Sequence, residues 1–133
     1  MTNIELINIA KNARKNAVVG ISNYSVGAAL ISDKGNVYLG ANIEDKALPT
    51  LSSCAERVAI YNALTYGEKN LKAIAIVGGK CGQDIDKTLI PCGICRQFMI
   101  DMCKDIDVIC YIDGKLVSLK PEEFSKFSYE FKE

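Results

Sequence analysis

Hydrophobic and polar positions along this chain follow two periods, one helical and one extended. Leu6, Ala10, Ala13 and Ala17 recur at helical spacing behind Thr2-Asn3-Ile4-Glu5, which has the S/T-x-x-E form of a capping box. A first helix ending near residues 18–20 is predicted, with its apolar stripe on a sheet. Residues 26–31 and 37–41 are β-rich runs separated by the turn-forming Asp33-Lys34-Gly35-Asn36, which predicts an antiparallel hairpin as strands one and two. A second helix is predicted over 54–66, where Ala55, Val58, Ala59, Asn62, Ala63 and Tyr66 trace mostly one face and Gly67 supplies a stop. Residues 71–77 are nearly all apolar and close on Gly78-Gly79, as an interior strand covered on both faces would. After a polar loop over 80–88, Cys92 opens a third helix whose Cys95, Phe98, Met99 and Met102 form a buried stripe. A fourth strand follows over 106–112. Asp113-Gly114 is a two-residue hairpin signal, so 115–119 returns antiparallel as strand five, and Pro121 suits the first turn of a short terminal helix. Strands interleaved with helices predict an α/β fold: a three-layer α/β/α sandwich on a five-stranded mixed sheet, with strands 1-2 and 4-5 antiparallel.

Composition narrows the function classes. The 133 residues fit one domain, 1–133, able to bury a sizeable core. Sixteen basic residues balance sixteen acidic ones, which gives no electrostatic footprint for a nucleic-acid backbone and favours a small substrate. The start, Met1-Thr2-Asn3-Ile4-Glu5, lacks the basic and apolar regions of a signal peptide, and no apolar run is long enough to cross a bilayer. The expectation is a soluble cytoplasmic protein without membrane association. In that setting six cysteines read as thiols or metal ligands rather than disulfides.

The grouping of those cysteines carries the chemistry. Cys54-Ala55-Glu56 stands at the start of one predicted helix and Pro91-Cys92-Gly93-Ile94-Cys95 at the start of the next. Residues two apart on a helix point to nearly opposite sides, so Cys54 and Glu56 share a site only at the N-terminal end. There the positive helix poles favour thiolate, the form that binds zinc. Three sulfur ligands leave one tetrahedral position for water, the mark of a catalytic rather than a structural zinc site. Histidine is absent. Three thiolates on Zn²⁺ make a net negative cluster, and the Arg57 guanidinium beside it is expected to bond the sulfurs and offset that excess.

Cys54-Ala55-Glu56-Arg57 and Pro91-Cys92-Gly93-Ile94-Cys95-Arg96-Gln97 resemble the two zinc motifs of the cytidine deaminase family. The likeness extends through most of the chain. Tyr24-Ser25-Val26-Gly27-Ala28-Ala29 is similar to that family's first-strand segment, Asn42-Ile43-Glu44 to its ribose-binding motif, and Leu119-Lys120-Pro121-Glu122-Glu123-Phe124 to its C-terminal segment. The resemblance implies one Zn²⁺ per subunit on Cys54, Cys92 and Cys95, and hydrolytic removal of the 4-amino group of free cytidine or 2'-deoxycytidine in pyrimidine salvage. Uridine or 2'-deoxyuridine and ammonia are the products, with Glu56 moving the protons. It further implies that Asn42 and Glu44 bind ribose hydroxyls, that the backbone at Ala55 and Cys92 touches the base, that Tyr24 packs at the base, and that Phe124 lines the pocket of a neighbouring subunit in a homotetramer. Two segments depart from the family. Tyr24-Ser25 stands where Phe-Pro is common, which adds a hydroxyl needing a partner. The run 45–53 is about one residue longer than usual and carries Leu48-Pro49 where a Tyr is usual.

Plainer readings compete at each residue. Cys92-x-x-Cys95 alone reads equally as a redox dithiol or half a structural zinc knuckle. Glu56 alone reads as the last residue of a capping box begun at Ser53. Asn42 and Glu44 alone read as a strand-ending amide and a solvated carboxylate, and Tyr24 and Phe124 as ordinary aromatics. Cys81, Cys103 and Cys110 have no ligand-like spacing and read as free thiols, buried for the last two. Competing functions are a blasticidin S deaminase-like enzyme acting on a cytosine nucleoside antibiotic, a non-catalytic structural zinc module with a fourth protein ligand, and a thiol redox protein. An RNA- or DNA-editing deaminase conflicts with the Asp113-Gly114 hairpin, because those branches resemble a sheet whose last strands run parallel.

Overall fold

In the computed structural model of the protein, residues 1–127 are described, with the side chains of 125–127 left aside. Helix α1 spans Asn3–Ala13 and starts at the expected capping box: Thr2 Oγ1 accepts from the Glu5 N–H at 3.1 Å, and the Thr2 N–H donates to Glu5 Oε1 at 3.0 Å. It ends several residues before the position predicted from periodicity, passing into a 3₁₀ turn over Arg14–Asn16. The reason is tertiary. The Arg14 side chain donates to the Ser25 carbonyl and hydroxyl and to the Lys80 carbonyl, and Val18 pairs with the chain near Asn42 and Glu44. These contacts outweigh the strong helical preference of Ala17.

Five strands, β1 Tyr24–Ser32, β2 Val37–Ala41, β3 Leu71–Lys80, β4 Asp107–Ile112 and β5 Lys115–Leu119, form one sheet in the order β2-β1-β3-β4-β5. The β1–β2, β1–β3 and β4–β5 pairs are antiparallel and β3–β4 is parallel, so the mixed sheet and both hairpins agree with the sequence reading. Asp113 and Gly114 both take positive φ, 51° and 78°, as the expected tight turn requires. Strand β3 runs on through Gly78-Gly79 rather than closing there. A Cβ on Gly78 would lie 2.9 Å from the Tyr24 ring and 3.0 Å from Leu89, so the bare glycine lets the following loop fold back over the strand.

Alternation along the strands sorts the core into two layers. On one side, Leu6, Ile7 and Ala10 of α1 pack on Ala29, Ala73, Ala75, Val77 and Ile109. On the other, α2 (Ala55–Thr65) and α3 (Gly93–Met102) bury Ala59, Ile60, Ala63, Cys95 and Met99 against Ala28, Leu30, Ile74, Ile76 and Val108. Each fully buried Leu, Ile, Val or Met there contributes about 1.5–3 kcal/mol. The predicted α3 stripe is narrower than expected: Met102 is 49 % exposed, and Cys103, just past the helix end, is buried instead. The terminal element after Pro121 is a 3₁₀ helix, Pro121–Phe127. Gly40 fixes the height of α2 over the sheet, because a Cβ at that position would run into the Ala55 carbonyl oxygen.

Candidate metal centre and active site

Cys54 and Cys92 are the N-cap residues of α2 and α3, each with extended backbone angles (φ −72°, ψ 153° and φ −68°, ψ 164°). An N-cap side chain folds back over the first turn of its helix. Cys92 Sγ accepts the Cys95 N–H at 3.4 Å in that way, and it lies 3.7 Å from Cys54 Sγ. The sulfurs of Cys54, Cys92 and Cys95 all lie within 4.8 Å of one another. Tetrahedral zinc–thiolate bonds of ~2.3 Å require sulfurs ~3.8 Å apart, so the trio fits a zinc ion. Among the described residues this group holds three sulfurs, and Cys81, Cys103 and Cys110 lie outside it. Cys103 and Cys110 are buried, and burial pushes their thiols up to about 11, which keeps them protonated and inert.

The electrostatics of the trio favour one preformed thiolate. Hydrogen bonds from the Cys54 and Cys95 thiols, helped by the backbone N–H groups of Cys95 and Ile94, hold Cys92 far below the usual thiol range. Hydrogen bonding with the neighbouring sulfurs and burial raise the Cys54 and Cys95 thiols. Arg57 Nη2 donates to Cys54 Sγ at 3.8 Å, its charge lies close to the sulfurs, and its Nε is buried without a hydrogen-bond partner among the described residues.

Glu56 sits in the first turn of α2, 4 % exposed, with burial and then the Cys92 charge pushing its carboxyl above the usual range. The capping-box alternative does not hold for this residue. Cys54, not Ser53, is the N-cap, so Glu56 falls one position short of the box, and the helix start has no side-chain cap hydrogen bond. A buried carboxyl raised in this way beside three sulfurs is of the kind used for proton transfer.

A cavity of about 470 Å³ opens over these groups, lined by Tyr24, Asn42, Glu44, Cys54, Ala55, Glu56, Arg57 and Cys92. Cys95 completes the trio from beneath, fully buried. Val26, Leu89 and Ile90 supply an apolar wall, and Ser22, Ser52 and Ser53 a polar rim. Sequence reasoning missed these six; Leu89-Ile90 directly before Pro91-Cys92 was the one available signal. The Tyr24 hydroxyl finds its partner in Asp86, donating to Oδ2 at 2.7 Å, and burial together with that carboxylate pushes it up to about 12.

Asn42 and Glu44 are more than solvated loop groups. Asn42 Oδ1 accepts the Val26 N–H and Nδ2 donates to the Tyr24 carbonyl, both at 2.8 Å, clamping the end of β2 to the start of β1. Glu44 Oε1 accepts the backbone N–H groups of Ile21 and Ser22 at 3.0 Å each, and Oε2 accepts the Ser22 hydroxyl at 2.6 Å. Burial opposes its charge, but the bonds from Ser22 and Ile21 win and hold the carboxyl below the usual range. Phe124 is 0 % exposed within its own chain, packed in the core beside α2 and α3, and its carbonyl accepts Arg96 Nη1 at 2.8 Å. The segment 45–53 contains a 3₁₀ turn over Pro49–Leu51 and leaves Leu48 and Leu51 exposed.

Residues 1–112 match the family profile described as the cytidine and deoxycytidylate deaminase zinc-binding region. A cytidine deaminase of Sporosarcina psychrophila is 39 % identical over 74 % of this chain and 68 % of its own length. The crystal structure of a cytidine deaminase from Burkholderia pseudomallei superposes with a TM-score of 0.80 at 37 % identity, covering 92 % of this chain and 95 % of that one. A blasticidin-S deaminase of Bacillus cereus is 30 % identical over 80 % of this chain and 77 % of its own length. With three sulfurs on two helix tips, a buried glutamate beside them and relatives that match over most of its length, this chain belongs to the cytidine and deoxycytidylate deaminase zinc-binding family.

Proposed function

We propose that the chain, a single domain over 1–133, hydrolyses free cytidine and 2'-deoxycytidine to uridine and 2'-deoxyuridine with release of ammonia, as a cytoplasmic homotetramer in pyrimidine salvage. The observation that carries the reading is a three-sulfur trio, with Glu56 and a nucleoside-sized cavity beside it. A zinc ion held by Cys54, Cys92 and Cys95 supplies a Lewis acid that makes water ionisable near neutral pH. Glu56 takes a proton from the attacking water, delivers it to N3 of the base and carries a second to the departing 4-amino group. Water oxygen thereby adds at C4 and ammonia leaves. Val26, Leu89 and Ile90 flank the base and exclude bulk water, the backbone at Ala55 and Cys92 meets its edge, and Tyr24 packs against it. Asn42 and Glu44 hold the sugar, and Arg57 balances the negative charge of the sulfurs. Exposed Leu39, Ile43, Leu48 and Leu51 supply apolar surface for further copies of the chain. No helix among the described residues is long and apolar enough to cross a membrane.

The second reading, a blasticidin S deaminase-like activity, draws on the Bacillus cereus relative. Zinc analysis of the purified protein, combined with ammonia release from cytidine, 2'-deoxycytidine and blasticidin S, separates the readings. The expected result is about one zinc per chain and turnover of the first two. Turnover of blasticidin S alone would replace the substrate assignment, and full zinc with no turnover of any would favour a structural module.

A further inference from the structure

We propose that Ser22 is a positioning residue for substrate binding: its hydroxyl locks the Glu44 carboxylate so that one acceptor position remains, for one hydroxyl of the nucleoside sugar. A carboxylate offers about four acceptor positions. In Glu44, Oε1 is taken by the N–H groups of Ile21 and Ser22 and one side of Oε2 by the Ser22 hydroxyl at 2.6 Å. The position left is on Oε2, and Glu44 and Ser22 both line the cavity. The hydroxyl is itself oriented. The Tyr24 N–H donates to Ser22 Oγ at 3.1 Å, and of the two acceptors within reach, Glu44 Oε2 at 2.6 Å and the Tyr24 carbonyl at 3.3 Å, the closer and charged one takes its proton. Backbone and hydroxyl donors therefore hold both carboxylate oxygens, and the side chain meets a ligand already ordered. Pre-ordering of this kind lowers the entropic cost of binding without touching the reacting atoms. The inference rests on the reading that Glu44 meets a sugar.

Steady-state kinetics test it on cytidine and on 2',3'-dideoxycytidine, which lacks both ring hydroxyls; where the dideoxy compound is not turned over, its inhibition constant against cytidine is read instead. Ser22→Ala is expected to raise KM for cytidine about tenfold with kcat within about twofold, because the lost bond reaches a charged group that acts in binding. Ser22→Thr keeps the hydroxyl and is expected to stay within about threefold of the unaltered enzyme. The dideoxy compound should bind the unaltered enzyme and Ser22→Ala equally, and adding Ser22→Ala to Glu44→Gln should change KM less than about twofold, since linked residues are non-additive. An equal loss on both ligands would mean general distortion of the pocket and overturn the proposal, as would an unchanged KM for cytidine. If the unaltered enzyme turned over no cytosine nucleoside, the underlying substrate reading would fail first and the proposal with it.

Discussion

At one end of the cavity Cys54, Cys92 and Cys95 stand on two helix tips with their sulfurs turned toward one another, and their close partners are chiefly each other and Arg57. At the other end Asn42 and Glu44 stand beyond β2, and most of their hydrogen-bonding positions are already taken by the backbone and hydroxyl of the segment around β1. The first region is a donor set built for an ion. The second is a stretch of chain made rigid by its own side chains, which a ligand then meets. Damage at the metal end should therefore appear in kcat, and damage at the far end in binding and in local stability.

The strongest way to break this contrast is Glu56→Gln. Ammonia release should fall on the order of 10²–10⁴-fold, the size of a general acid–base contribution, while metal analysis still finds zinc. Zinc lost together with activity would make Glu56 part of the ligand set and blur the two roles. Arg57→Gln comes next. Removing a charge beside the sulfurs should lower kcat about 10–100-fold with zinc retained at ordinary concentrations, checked by the same paired assays.

A pH series sharpens the far end. Because hydrogen bonds depress the folded-state pKa of Glu44, the stability it contributes is fully present above the ordinary carboxylate value of ~4.3 and is lost as pH falls through the lower folded value. Melting curves of the unaltered protein and Glu44→Gln should differ by at most a few degrees at neutral pH, and the gap should shrink only below that range. A gap that closes at higher pH would mean the carboxylate is not held as described. The smallest effect is expected from Tyr24→Phe. The Asp86 carboxylate is exposed and water can replace the lost hydroxyl, so KM should stay within about threefold in steady-state assays.

Much of this was legible in the residues themselves. The capping box at Thr2, the Asp113-Gly114 turn and the apolar run of β3 each encode their element through neighbours a few positions away, and each element formed where it was read, although α1 stops sooner and β3 runs further than predicted. The metal ligands were legible for a similar reason: each cysteine pattern sits at a helix start, where chain geometry alone turns the side chain over the tip. The polar rim was not. Ser22 looks like any loop serine until Glu44 arrives 22 positions later to receive its proton.

The sequence by itself determined the order of helices and strands, the three sulfurs and the glutamate beside them, because these depend on residue type and short spacing. Tertiary structure decided where α1 stops, which partners Asn42 and Glu44 take, that Tyr24 bonds Asp86 across 62 positions, and that Phe124 is buried in the core of its own chain. Local propensity acts over a few residues, whereas burial and hydrogen-bond partnership are settled by segments that meet only when the chain has folded.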